Sequence, residues 1–317
     1  MDHMSNMMGS GGESGLTGSF SLRYKPMGFD EEDVDKLTYR ARVGWMGDVN
    51  EAVQWTVIFT TDTEQSFGGI HPEGINFEQA YVAYSPMEGF SVKVGKFGWM
   101  PDFHKSGILY SEQLYKVGGM LKYNQAMDDM ASWYGKVAVY ELEESSAPLT
   151  GVTIKAKAGG HFSVSDDMMA GLYVLGLHDG LMNEGEQAKT LGQLGVHFNA
   201  STMPIPMGVF AAYLTDFDSL GSFDSYTAGL SLGSAGKATS TEMGDFGVAV
   251  NYYNIDEKDL VVSWLNEDYV GGAGEGVAVR AQYNPWDNTS LVAKYARNLA
   301  EGVASPDNLV AELMFVF

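Results

Sequence analysis

The chain closes on residues 307–317, DNLVAELMFVF. Laid out as an extended strand, this stretch puts Leu309, Ala311, Leu313, Phe315 and Phe317 on one side. Val310, Glu312, Met314 and Val316 fall on the other, because successive side chains of a strand point to opposite faces. An apolar strand ending on an aromatic residue is a liability at the edge of an open sheet, where unpaired backbone groups template aggregation. Closing the sheet removes that edge, because the last strand then pairs with the first. The ending predicts a closed β-barrel.

The same rhythm runs back through the chain. From Leu16 onward, segments of about nine to eleven residues carry a two-residue period, separated by clusters of Gly, Pro, Asp, Asn and Ser. In 16–24, Phe20, Leu22 and Tyr24 alternate with Ser21 and Arg23. In 37–45, Tyr39, Ala41, Val43 and Trp45 alternate with Thr38, Arg40, Arg42 and Gly44. Val53, Trp55, Val57 and Phe59 start a third segment. Further segments fall near 75–84, 89–97, 113–123, 132–141, 150–162, 167–177, 190–199, 207–215, 225–234, 244–254, 276–284 and 288–297. With the last stretch this is about sixteen strands, an even number that leaves both termini on one side of a membrane. Segments 167–177 and 207–215 are apolar on both faces, so their register stays open.

The connections alternate in length. Turns at Asp48-Val49-Asn50-Glu51, Ser85-Pro86-Met87-Glu88, Ser163-Val164-Ser165-Asp166 and Pro285-Trp286-Asp287 are tight, whereas 25–36, 62–74, 98–112, 178–189 and 255–275 are long and rich in Asp, Glu and Gly. Short turns at one rim and long loops at the other is a barrel pattern; 235–243 is longer than it allows. Aromatics stand towards the ends of the apolar faces (Tyr24, Tyr39, Trp45, Phe59, Tyr84, Phe90, Tyr123, Phe198, Tyr252, Tyr283, Tyr295) with Ala, Val and Leu between them. Two interfacial girdles need that placement.

Composition narrows the function. The balance of 41 acidic to 19 basic residues, a formal charge of -22, argues against nucleic acid. With 45% hydrophobic and 12% aromatic residues the chain is not disordered. The absence of cysteine excludes disulfides, thiolate zinc and a Cys nucleophile. No run of 18 or more apolar residues marks a membrane helix, which says nothing against strands. Residues 1–15 carry no signal-peptide pattern and read as a flexible N-terminal tail, as in a mature or engineered form; 16–317 read as one barrel domain.

Terminal Phe317, preceded by apolar residues at every second position, resembles the C-terminal signature of Gram-negative outer-membrane barrels. With the strand rhythm of the whole chain, the resemblance extends to the general porins. It implies an outer-membrane protein in contact with lipid and lipopolysaccharide, assembled as a homotrimer, whose Phe317 strand is read by the barrel-assembly machinery. It also implies a third external loop, after the fifth strand, folded into the lumen as a constriction. Residues 98–112, GWMPDFHKSGILYSE, occupy that place. By the same resemblance Asp102 is the loop's acid, facing a basic ladder of Arg23, Arg40, Arg42 and Lys93, with His104 and Lys105 beside it; the loop departs from the family in carrying one clear acid.

The alternation itself puts Arg23, Arg40, Arg42, Lys93, Lys116, Lys122, Lys136, Lys155, Lys157, Arg280 and Lys294 away from the apolar face. In a soluble sandwich that face is merely solvated. In a barrel of this size it lines a water-filled lumen, and basic residues there ease the passage of anions. The expectation is a passive channel for ions and small hydrophilic solutes, weakly charge-selective. A substrate-selective channel, with Tyr81, Tyr134 and Tyr140 as an aromatic track, is one alternative. A non-conducting structural or adhesive barrel is another.

Nothing points to an enzyme or a cofactor. The six histidines are scattered, and neither GxSxG nor HExxH occurs. Asp216-Phe217-Asp218 could hold calcium but lacks the EF-hand spacing.

Overall fold

The computed structural model describes residues 14–25, 36–61, 65–66, 75–98, 115–127, 130–141, 152–179, 189–201, 205–217, 224–233, 242–256, 274–299 and 308–316. All regular structure among them is β. In chain order the strands are β1 (Gly15–Lys25), β2 (Lys36–Asn50), β3 (Val53–Thr61), β4 (Gln65–Ser66), β5 (Ile75–Met87), β6 (Phe90–Gly98), β7 (Tyr115–Ala126), β8 (Ala131–Glu141) and β9 (Val152–Ser165). They continue with β10 (Met168–Asp179), β11 (Lys189–Ala200), β12 (Met207–Asp216), β13 (Asp224–Gly233), β14 (Phe246–Ile255), β15 (Gly274–Trp286), β16 (Thr289–Asn298) and β17 (Asn308–Val316).

Each strand pairs antiparallel with its neighbours, and β17 closes on β1 with Ser19 opposite Val316 and Tyr24 opposite Ala311. The two-residue β4 lies against Thr38 and Tyr39 of β2, beyond the part of β2 that β3 covers. It prolongs the line of β3, so the barrel is sixteen strands round. Strands outrun the sequence-based segments at the short-turn rim: β2 reaches Asn50 and β5 reaches Met87, because hairpin pairing carries the ladder into the turn. In the tight turn before β16, Asn288 takes a positive φ of 58°, which Asn tolerates through its short polar side chain.

The two faces divide as the alternation requires. Leu194, Val196, Val137, Val174 and Leu230 are among the exposed apolar residues of mid-strand positions. No aqueous surface accommodates so large an apolar belt; it is a lipid-facing wall. Aromatic pairs stand at its borders. Trp133 and Phe162 meet edge-on at 5.6 Å near the short turns. Phe59 and Phe77, at 4.6 Å, and Tyr226 and Tyr252, at 6.0 Å, stand near the long connections.

The inner wall is packed by a cross-strand rule. Tyr134 lies opposite Gly159, Tyr173 opposite Gly195, Tyr253 opposite Gly276 and Phe210 opposite Gly229. In each pair a Cβ on the glycine would run into the facing ring. The missing side chain lets the aromatic lie flat along the wall. Strand β10, open in register from sequence, places Tyr173, Leu175 and Leu177 inside and buried, with Leu172 and Val174 outside.

The candidate pore lining

A β-bulge builds the most distinctive part of the inner wall. Between β3 and β5, Phe59 faces Phe77 while its neighbour Ile58 faces Gln79, so Glu78 is an extra residue in β5. Simple alternation would turn Glu78 to lipid. The bulge re-aims it, and Glu78 and Gln79 are both buried. Its carboxylate bridges two arginines of β2: Oε2 accepts from Arg42 Nε at 2.8 Å, and Oε1 stands 3.3 Å from Arg40 Nη2. Arg40 Nε also donates to Thr60 Oγ1 at 3.3 Å. Across the closing seam Arg23 faces its Cα partner Glu312, 3.7 Å away.

A second basic wall stands on β6–β9. Lys122, Lys136 and Lys157 are successive cross-strand partners, so three like charges lie in one row. Like charges directly opposite cost stability in a sheet. Lys155 lies one step along β9 and is fully buried. Lys157 Nζ sits over the Tyr173 ring at 4.2 Å and the Tyr134 ring at 5.5 Å. Lys93 Nζ sits over Tyr81 at 4.1 Å. These are cation–π distances. Tyr81, Phe97 and Tyr140 run on as a chain of rings at 6.2 and 5.4 Å. On the far side Arg280 faces Lys294.

The remaining sector, β10–β14, carries no buried lysine or arginine among the described residues and mixes apolar side chains with hydroxyl, amide and imidazole groups. Leu177, Leu191, Leu214 and Tyr253 are completely buried there, with Gln193 donating to Tyr173 Oη at 2.7 Å. On the same face Gly171 separates His161 from His197, whose ring centroids are 5.2 Å apart. Among the described residues no group of three or more His, Cys, Asp or Glu could hold a metal.

The basic residues singled out from the alternation therefore divide into walls. Arg23, Arg40 and Arg42 share β1 and β2, Lys93, Lys122, Lys136, Lys155 and Lys157 share β6–β9, and Arg280 with Lys294 spans β15–β16. Register places Lys116 opposite Phe97. Asp102, His104, Lys105 and the rest of the loop after β6, residues 1–13, and Phe317 lie outside the described residues. Tyr81 and Tyr140, far apart in sequence, join through Phe97. Glu78, Glu312, Phe97 and Tyr173 were missed as wall residues. For Glu312 the signal was available, since it alternates inward within 307–317. For Glu78 it was not, because a bulge leaves no mark in a two-residue period.

A closed sixteen-strand antiparallel barrel, with an apolar belt outside, aromatic borders and charged walls inside, is a membrane-spanning barrel of the outer-membrane type. Solved structures place it more closely. The chain is similar to OmpF of Salmonella typhi (12% identity, TM-score 0.61, covering 97% of this chain and 98% of that one). It is similar to OprB of Pseudomonas putida (13%, 0.61, 97% and 94%) and to a porin of Rhodopseudomonas blastica (14%, 0.56, 96% and 100%). The fold is the porin fold, matched over nearly the whole chain. No protein-family model and no curated protein matches it by sequence.

Proposed function

We propose that the chain is an outer-membrane porin, a passive diffusion channel through which ions and small hydrophilic solutes cross. The porin fold over the full barrel is the observation that carries this reading. The inner walls support weak charge selectivity. Five lysines on β6–β9 favour anions, while the arginines of β1 and β2 are largely offset by Glu78 and Glu312. By likeness to porins, the barrel works as a homotrimer among lipid and lipopolysaccharide, and its last strand is the part read by the assembly machinery. The loop after β6, with Asp102, His104 and Lys105, is the segment proposed to narrow the pore. The reading assigns no catalytic role.

Liposome swelling with sugars of graded size tests this. A general pore admits them with a smooth size cut-off. The rings of Tyr81, Phe97, Tyr140, Tyr134 and Tyr173, each group with a lysine over it, favour a second reading, a channel selective for one solute class. Its mark is uptake of one sugar well above others of equal size. A barrel that admits none is structural or adhesive.

A further inference from the structure

We propose that Arg40 and Arg42 form an oxyanion site on the pore wall, and that Glu78 is its resident, exchangeable carboxylate. Solutes bearing carboxylate or phosphate pass this point by displacing Glu78 from the arginines and are released when it returns. The inference deepens the porin reading and rests on it for its role in transport.

Two features of the ion pairing carry it. A carboxylate paired with an arginine frequently takes the guanidinium fork with both oxygens, because the two geometries match. Glu78 does otherwise. Oε2 accepts from Arg42 Nε, whereas Oε1 stands 3.3 Å from Arg40 Nη2 and makes no hydrogen bond among the described residues, so the Arg42 fork is not filled by it. Arg42 Nη2 is buried and makes no hydrogen bond among the described residues. A buried guanidinium nitrogen with unspent donors is costly, and the missing partner has the chemistry of an oxyanion oxygen.

The second feature is where the carboxylate comes from. Arg40 and Arg42 project from one face of β2 near mid-strand, so the pair sits within the barrel wall rather than at a rim. Glu78 reaches them only because the bulge in β5 inserts a residue. A bulge is a place where a strand can re-aim a side chain at low cost, which suits a group that must swing aside and return. Without Glu78 the two arginines would hold a phosphate more tightly and slow its release. Conduction needs binding firm enough to admit a solute and weak enough to release it. A tethered competing carboxylate supplies that weakening.

The test uses the full chain, refolded in detergent, with inorganic phosphate and succinate as probes. Titration calorimetry reads binding without any need for conduction, and planar-bilayer current reads it in the open pore. Glu78→Gln should raise phosphate and succinate affinity at least tenfold and lengthen current blocks to match, with a rise in anion over cation permeability. Glu78→Asp should stay near the native values. Arg42→Gln, which leaves Glu78 held by Arg40, should abolish the phosphate response, and it keeps the test open if Glu78→Gln fails to fold. A folded Glu78→Gln barrel with native phosphate affinity overturns the proposal, as does an Arg42→Gln barrel that binds phosphate as the native one does. Phosphate binding lost in Arg42→Gln, from a barrel that passes no current, keeps the oxyanion site and overturns the porin reading instead.

Discussion

Arg23 and Glu312 face each other across the seam where the last strand meets the first, as Cα partners with their charged groups 3.7 Å apart. The pair joins the two ends of the chain at the closure that the C-terminal sequence calls for. Both side chains are partly exposed, 22% and 15%, so water screens the attraction and the pair is worth little, about 1 kcal/mol or less. Glu312→Gln should lower the midpoint of urea unfolding only slightly. Glu312→Lys sets two cations opposite each other and should cost visibly more. Equal midpoints for the two variants would show that the seam does not sense charge.

The glycine–aromatic pairs carry a sharper stability prediction. A Cβ on Gly195 would run into the Tyr173 ring, and one on Gly159 would come 2.5 Å from Tyr134 Oη. Gly195→Val therefore forces the aromatic off the wall and should cost about 1–3 kcal/mol, the usual range for overpacking. Gly176 lies on the outer face with nothing within 4 Å of an added Cβ. Gly176→Ala should be neutral or stabilising by up to about 1 kcal/mol, since it removes chain entropy from the unfolded state. Urea unfolding of both variants in the same detergent checks the contrast.

Depth in the lipid should grade the outer wall. Leu194 lies mid-strand in β11, and Phe198 lies near its turn. Leu194→Arg should cost about 2–4 kcal/mol in vesicle folding, and Phe198→Arg about 0–1 kcal/mol. Equal costs would mean that the belt is not set across a bilayer.

The lysine row trades stability for selectivity. Lys136 is buried between Lys122 and Lys157, its two cross-strand partners. Lys136→Met should raise stability by roughly 0.5–1 kcal/mol, by relieving the like-charge contacts, and lower anion preference in a salt-gradient reversal potential. A gain in stability with unchanged selectivity would make the row structural only.

Much of this was legible in the sequence, for one reason. Lipid on one side and water or packed polar groups on the other impose a two-residue period, and that period is local. It located the strands, the tight turns at Glu51, Glu88, Asp166 and Asp287, and the outward setting of Trp45, Tyr84 and Tyr283. What escaped is set between strands. Which residue stands opposite which depends on turn length and bulges, so the row of three lysines and the pairing of Tyr173 with Gly195 appear only once the register is known. Glu78 is the clearest case, since alternation alone assigns it to the wrong face. Burial of Leu177, Leu191 and Leu214 on the inner wall has the same origin. An apolar residue at an inward position looks from sequence like a flaw in register, as it did for 167–177 and 207–215.

Single-channel conductance of the refolded protein in a planar bilayer, under a gradient of molar salt, tests the porin reading most directly. At that ionic strength the Debye length is about 3 Å, so the acidic connections no longer concentrate cations at the mouth and the inner walls set the sign. A porin with these walls gives large ohmic steps that close in three levels, and a modest anion-preferring reversal potential. Silence from folded, inserted protein, or strong cation preference in molar salt, would contradict it.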